Sequence, residues 1–127
     1  MEKSIGFKGE FLTLKIDPNR DLRKEIELYC KEKHVKLGTV FNAFGTLTKA
    51  RLGSSGEHTV KSLEFNDPVE LLSSSGLIRE KKRQLDTNIN LVISKNGKIY
   101  AGKLLYGCIT SKPDGVNVLL FVIAIGL

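Results

Sequence analysis

The stretch NINLVISKNGKIYAGKLLYGC, residues 88–108, decides the fold. It contains two strand-favouring runs rich in Val, Ile and Tyr, on either side of Asn96-Gly97. Asn-Gly is the preferred pair for a two-residue type I′ turn, and such a turn pairs Lys95 with Lys98. The stretch therefore predicts a β-hairpin of defined register.

The hairpin register brings three polar side chains together. Counting back from the turn places Asn90 directly opposite Lys103, with Asn88 as the diagonal neighbour. Because side chains alternate along a strand, these three lie on the face opposite Ile89 and Leu91, which we expect in the core.

The residue types in this polar cluster, Asn88, Asn90 and Lys103, decide what it could bind. Asn is a poor ligand for transition metals, and an ammonium group repels cations. An anion or a polar small molecule fits better, and we expect neither a metal ion nor a cofactor. The alternative is that the cluster lies on a wet sheet face or at a subunit boundary and binds nothing.

One segment upstream of the hairpin, DPNRDLRKEIELYCKEKHV at residues 17–35, has helical spacing. Asp17 and Asp21 are the candidate N-caps. Apolar side chains recur on one face of the helix, at Leu22, Ile26, Tyr29 and Cys30. We expect this to be the main helix.

Short β-favouring runs separated by turn residues make up most of the remaining chain. They follow an opening strand at 11–16 and cover 39–44, 47–52, 59–65, 69–75, 88–94, 98–105 and 118–127. The pattern predicts an α+β fold, a compact antiparallel sheet with one main helix, in a single domain over residues 1–127.

Composition places the chain among soluble globular proteins. It has 127 residues, of which 41% are hydrophobic and 27% are charged. The start has no signal-peptide pattern, and the longest apolar run is too short to span a membrane, so we expect a cytoplasmic protein without a membrane partner. Cys30 and Cys108 lack the spacing of a metal or redox motif and are expected to be buried free thiols.

The net charge of +6 favours an anionic partner. The densest positive run is REKKR, whose cations are Arg79, Lys81, Lys82 and Arg83. These four are the candidate nucleic-acid contacts, with a solvated loop as the alternative. Because the chain shows no recognition helix and few aromatic residues, we expect weak binding through phosphates.

An enzyme is not favoured. His34 falls at the predicted helix end and His58 in a polar loop, so neither is placed as a catalytic base. Cys108 has only Lys103 or Tyr106 as a nearby base in the sequence, which is a weak arrangement for a nucleophile. Phosphate-loop and dinucleotide fingerprints are absent, and we assign no catalytic residue.

Three blocks in order carry a family resemblance: VFNAFGTLTKARLGSSG at 40–56, DPVELLSSSG at 67–76 and GKIYAGKLLYGC at 97–108. Together they resemble the plants and prokaryotes conserved (PPC) domain, in its stand-alone prokaryotic form. The resemblance implies a homotrimer with an antiparallel sheet and one helix, associated with DNA. Plant members bind AT-rich DNA through a separate Arg-Gly-Arg-Pro hook, which is missing from this sequence.

The resemblance also bears on the polar cluster. Many prokaryotic relatives have a His-x-His pair and a third His that look like a divalent metal site. Those positions are Asn88, Asn90 and Lys103 here, and Tyr106 replaces a Glu of the same block. The resemblance therefore implies a metal site that this chain has lost.

Two other parts of the sequence correspond to features of the family pattern. Ala43 replaces the first Gly of a Gly-x-Gly turn, which puts a close backbone approach there in doubt. Glu70, Leu71 and Leu72 match a stretch that is associated with protein partners in plant relatives. An ordinary core strand is the alternative for this segment.

These observations favour a non-enzymatic, homotrimeric interaction module that is DNA-associated or regulatory. It would contact DNA weakly and directly, or through a protein partner. The alternative is a small-molecule or anion-binding protein, or an enzyme, that uses the polar cluster.

Overall fold

The computed structural model describes Gly6, residues 8–54 and residues 62–125, except for the side chains of residues 124 and 125. His58 and parts of the strands predicted at 59–65 and 118–127 lie outside these ranges. The elements in chain order are β1 Glu10–Ile16, α1 Leu22–Glu32, β2 Val35–Gly53, β3 Ser62–Phe65, β4 Val69–Lys81, β5 Gln84–Lys95, β6 Lys98–Leu104, β7 Ile109–Thr110 and β8 Val116–Ile125.

Helix α1 begins where the sequence predicted it. The Asp21 carboxylate accepts the Lys24 backbone amide at 3.1 Å, so Asp21, and not Asp17, is the N-cap. Leu22, Ile26 and Cys30 are buried, and Tyr29 is partly buried against the core. Within the described ranges, no helix has the length and apolar character needed to cross a membrane.

The sheet is antiparallel throughout and has the strand order β1-β8-β2-β4-β5-β6. Strand β2 also pairs with β6, through Leu52 opposite Leu104, so β2, β4, β5 and β6 form a closed ring. Strands β3 and β7 pair with β2 as well. The prediction of an antiparallel sheet with one main helix is confirmed for the described residues.

Strand β2 differs from the prediction of two separate runs at 39–44 and 47–52. It is one strand of 19 residues that passes through Gly45. Gly45 has φ of 143°, and a Cβ there would lie 2.6 Å from the carbonyl oxygen of Gly115. Glycine therefore lets the strand continue past a close backbone contact where turn residues suggested an end.

The basic run at 79–83 is not a loop as its charge suggested. Arg79 to Lys81 continue β4, and Lys82 and Arg83 form a two-residue turn into β5. Both turn residues have left-handed backbone angles, with φ of 51° and 65°. This is the backbone of a type I′ hairpin without the usual Asn or Gly.

The core lies between α1 and the inner face of the sheet. The hairpin contributes Ile89, Leu91 and Ile93, all buried as predicted. Cys30 and Cys108 are buried and unpaired, and burial raises the pKa of each thiol to about 11. Neither thiol is thus prepared to act as a nucleophile near neutral pH.

Candidate functional site

The polar cluster has the predicted register. Lys95 pairs with Lys98 across the Asn96-Gly97 turn, and Asn90 lies directly opposite Lys103. Asn88 lies two residues before Asn90 on the same strand face and pairs with Leu77 of β4. All three side chains of the cluster are exposed.

The donor set of the cluster does not suit the divalent metal that the family resemblance implies. The cluster offers two amides and an ammonium, which are poor ligands for such a metal, and the ammonium adds a charge that repels a cation. Among the described residues, no three His, Cys, Asp or Glu side chains come together in a way that could hold a metal ion.

A small cavity of about 210 Å³ adjoins the cluster. Asn88 and Lys103 line it, whereas Asn90 does not. The other polar lining residues are Arg23 from α1 and Asp86 and Thr87 from β5. Two of the three cluster members thus line the cavity, together with a cation from the helix.

Arg23 was missed by sequence reasoning because the exposed side of the helix has mixed charges. Its Nε lies 3.6 Å from the Glu27 carboxylate, and its guanidinium lies over the Tyr106 ring at 4.2 Å. Its Nη1 donates to the Leu104 carbonyl at 3.5 Å. The only sequence signal for this contact is the (i, i+4) spacing of Arg23 and Glu27.

Glu27 connects three parts of the fold. Its carboxylate accepts the hydroxyl of Tyr106, which follows β6, and that of Thr87 in β5 at 3.4 Å. The hydrogen bond to Glu27, followed by burial, raises the pKa of Tyr106 above its ordinary value. Tyr106 therefore serves as a hydrogen-bond donor that holds Glu27 and, through its ring, Arg23 in place.

The hairpin cations form a second candidate surface at the turn between β4 and β5. Arg79, Lys81, Lys82 and Arg83 are all exposed. The positive charge of Arg79 is partly compensated, because its Nε lies 3.6 Å from the Asp86 carboxylate. Arg83 and Lys31 of α1 line the same surface cavities, so the hairpin tip lies beside the C-terminal end of the helix.

The segment matched to a partner-binding stretch is divided between core and surface. Leu71 is buried and pairs with Ile93, whereas Glu70 and Leu72 are exposed. A β-bulge between Leu71 and Ser73 interrupts the alternation. Core packing thus accounts for Leu71 and leaves Glu70 and Leu72 available at the surface.

An apolar surface covers part of the outer sheet face, and sequence reasoning did not assign it. Phe11 is 70% exposed and stacks on Phe121 with ring centroids 4.6 Å apart. Its ring is also nearly perpendicular to that of Phe41, with 5.5 Å between the ring centroids. Further exposed apolar side chains are Phe44 on β2, and Leu72 and Leu77 on β4, which pairs with β2. We call the trio Phe11, Phe41 and Phe121 the aromatic cluster.

Solved structures share this fold. A metal-containing protein from Archaeoglobus fulgidus is 24% identical, with a TM-score of 0.83, and the match covers 98% of this chain and 87% of that chain. A plant- and prokaryote-conserved protein from Pyrococcus horikoshii is 17% identical, with a TM-score of 0.82 and the same coverage. A protein from Bacteroides thetaiotaomicron, named as a candidate DNA-binding protein, is 16% identical, with a TM-score of 0.77 and coverage of 92% and 83%.

No curated protein matches the chain. A family model does match, and it is that of the Plants and Prokaryotes Conserved (PCC) domain, the family also abbreviated PPC. The match covers residues 4–122. The chain therefore belongs to the plants and prokaryotes conserved domain family, as its sequence resemblance predicted.

Proposed function

We propose that residues 1–127 form a single-domain, non-enzymatic interaction module that assembles as a homotrimer. The observation that carries the proposal is the aromatic cluster on the outer sheet face. Monomeric proteins rarely expose large contiguous apolar patches, and such patches are typical of association surfaces. A second and a third copy of the chain are the proposed occupants, because three is the number that the family resemblance implies.

The proposed module associates with DNA, directly through phosphates or through a protein partner. A net charge of +6 and the exposed cations of the β4–β5 hairpin support direct contact. A threefold assembly would present this hairpin three times, which multiplies weak contacts along a duplex. The exposed Glu70 and Leu72 are the proposed contacts for a protein partner.

The chemistry of the described cysteines and of His34 favours a binding role over an enzymatic one. Both cysteines of the chain have raised thiol pKa values, and His34 is exposed in the turn after α1. Among the described residues, neither thiol has a histidine hydrogen-bonded to it. The described residues therefore do not bring together a cysteine nucleophile and a histidine base.

Light scattering tests the assembly. We expect about three times the chain mass of 14.1 kDa at micromolar protein concentration. The same preparation should bind unrelated duplexes at low salt with similar affinity. A monomeric mass would overturn the trimer, and a strong preference for one duplex would overturn the phosphate-contact mode.

A further inference from the structure

The cavity beside Lys103 is built from three elements of one chain. Arg23 comes from α1, Thr87 and Asn88 come from β5, and Lys103 comes from β6. Two cations and an amide thus face a space of about 210 Å³. That volume is below the range of drug-sized pockets and suits a small group.

Arg23 has donor capacity that the protein does not use. A guanidinium carries five N–H donors, and within the described residues only Nη1 makes a hydrogen bond, at 3.5 Å. Its buried Nε faces the Glu27 carboxylate at 3.6 Å, too far for a hydrogen bond, so the donors that remain for a ligand are those of the Nη atoms. The ring of Tyr106 covers the guanidinium face, which leaves the edge, where the N–H groups point, for an oxyanion.

The charges around the cavity favour an anion. Asp86 lies in the lining and opposes one, but its carboxylate is 3.6 Å from Arg79 Nε. Glu27 opposes one as well, and it is paired with Arg23. Lys103 is exposed and has no ion-pair partner among the described residues, so one positive charge remains uncompensated.

We propose that this cavity binds a small oxyanion, a phosphate or carboxylate group, between the Arg23 guanidinium and the Lys103 ammonium. The side-chain amide of Asn88 supplies a further hydrogen bond. Arginine suits planar carboxylates and phosphates because its donors form a fork, whereas lysine acts as a mobile point charge.

This inference goes beyond the interaction module and does not depend on it. The lining residues all belong to one chain, so a monomer would retain the site. The hairpin cations Lys81, Lys82 and Arg83 do not line the cavity, so DNA binding and oxyanion binding use different side chains.

Calorimetric titration with inorganic phosphate, at constant ionic strength set with chloride, tests the proposal. A parallel titration with acetate distinguishes a phosphate site from a carboxylate site. We expect saturable binding of at least one of them at one site per chain. Lys103→Met should weaken it about tenfold or more, and Arg23→Lys should weaken it while the positive charge is kept.

Lys98→Met is the matched control, because it removes the same charge from an exposed position on the same strand, outside the cavity. Lys98→Met should bind like the parent protein. Equal losses in the two lysine variants would reduce the effect to net charge and overturn the site. Circular dichroism checks that each variant is folded, and absence of saturable binding by either anion would overturn the proposal directly.

Discussion

Asp21 joins the start of helix α1 to Gly107. One oxygen of its carboxylate accepts the Lys24 amide at 3.1 Å, and the other accepts the Gly107 amide at 2.7 Å. Gly107 follows Tyr106, the residue that holds Glu27 and Arg23. The N-cap of the helix therefore also fixes the segment that supports the proposed oxyanion cavity.

Replacement of this cap should destabilise the protein. Asp21→Ala removes a capping acceptor and leaves the Gly107 amide without its partner, so we expect a loss of about 2 kcal/mol in the free energy of unfolding. Urea denaturation measures it. Asp17→Ala is the control, because Asp17 is exposed and does not cap the helix. A cap variant as stable as the control would contradict the proposed role of Asp21.

Disruption of the aromatic cluster should dissociate the proposed trimer. Phe41→Ser introduces a polar side chain into the outer face, and we expect light scattering to show a lower mass at the same protein concentration. Leu28→Ser is the control, since Leu28 on α1 is 44% exposed and Phe41 is 46% exposed. Loss of assembly in both variants would mean that the outer sheet face is not the specific interface.

Neutralisation of the hairpin should flatten the salt dependence of DNA binding. Replacing Arg79, Lys81, Lys82 and Arg83 by Gln removes the proposed phosphate-binding cations. Each DNA phosphate that is no longer neutralised should reduce the slope of log K against log salt by about 0.9. Lys15, Lys24, Lys49 and Lys98 are exposed elsewhere on the protein and provide a control with the same change in charge. If the control variant showed an equally reduced slope, the hairpin would have no special part.

The purified protein should hold no tightly bound divalent metal. Amides and an ammonium lack the donors of a zinc site, so metal analysis after dialysis against zinc should give well under one ion per chain. The triple change Asn88→His, Asn90→His and Lys103→His should raise zinc binding, because Asn90 and Lys103 are directly opposite. A stoichiometric ion in the unchanged protein would refute the loss of the metal site.

The free energy of unfolding should fall in alkaline solution because of the two buried thiols. Each has a folded pKa of about 11 against an ordinary value of 9.0, so the unfolded chain loses these protons first as the pH rises. Stability is retained below about pH 9 and decreases toward pH 11, by roughly 2 to 3 kcal/mol per thiol.

The double variant Cys30→Ala and Cys108→Ala isolates this effect. Urea unfolding on both sides of the thiol pKa should show a smaller alkaline loss for the variant than for the parent. Tyr106, whose pKa is also raised, contributes equally to both proteins. The raised pKa of Tyr29 comes from burial and then from Cys30, so the difference between the two proteins includes the part of the Tyr29 shift that Cys30 causes. Equal alkaline losses would show that the thiols do not cause the decrease.

The sequence predicted those features that short segments determine. The turn at Asn96-Gly97 fixes its own register, which is why the pairing of Asn90 with Lys103 could be counted from the sequence. The helix was recognisable because Leu22, Ile26 and Cys30 have the spacing of one face. In both cases, local geometry and burial favour the same arrangement.

Features that depend on contacts between distant segments were not predictable in this way. Gly45 looked like a strand end because its close neighbour, Gly115, lies 70 residues later in the chain. In the sequence, Arg23 is one of several charged residues of the helix. Only folding brings it over the Tyr106 ring and into the same cavity lining as Lys103. The aromatic cluster combines three strands, and no window of sequence contains all of them.

The left-handed backbone angles of Lys82 and Arg83 lower the stability of the fold, whereas the two side chains add positive charge to the hairpin. For a residue with a Cβ, that conformation costs roughly 1 to 2 kcal/mol of free energy, and an Asn-Gly pair would relieve much of the strain. The same exchange would remove two of the four hairpin cations. A version of this chain selected only for thermal resistance should therefore drift toward an uncharged turn, whereas one selected for polyanion binding should keep the strained pair.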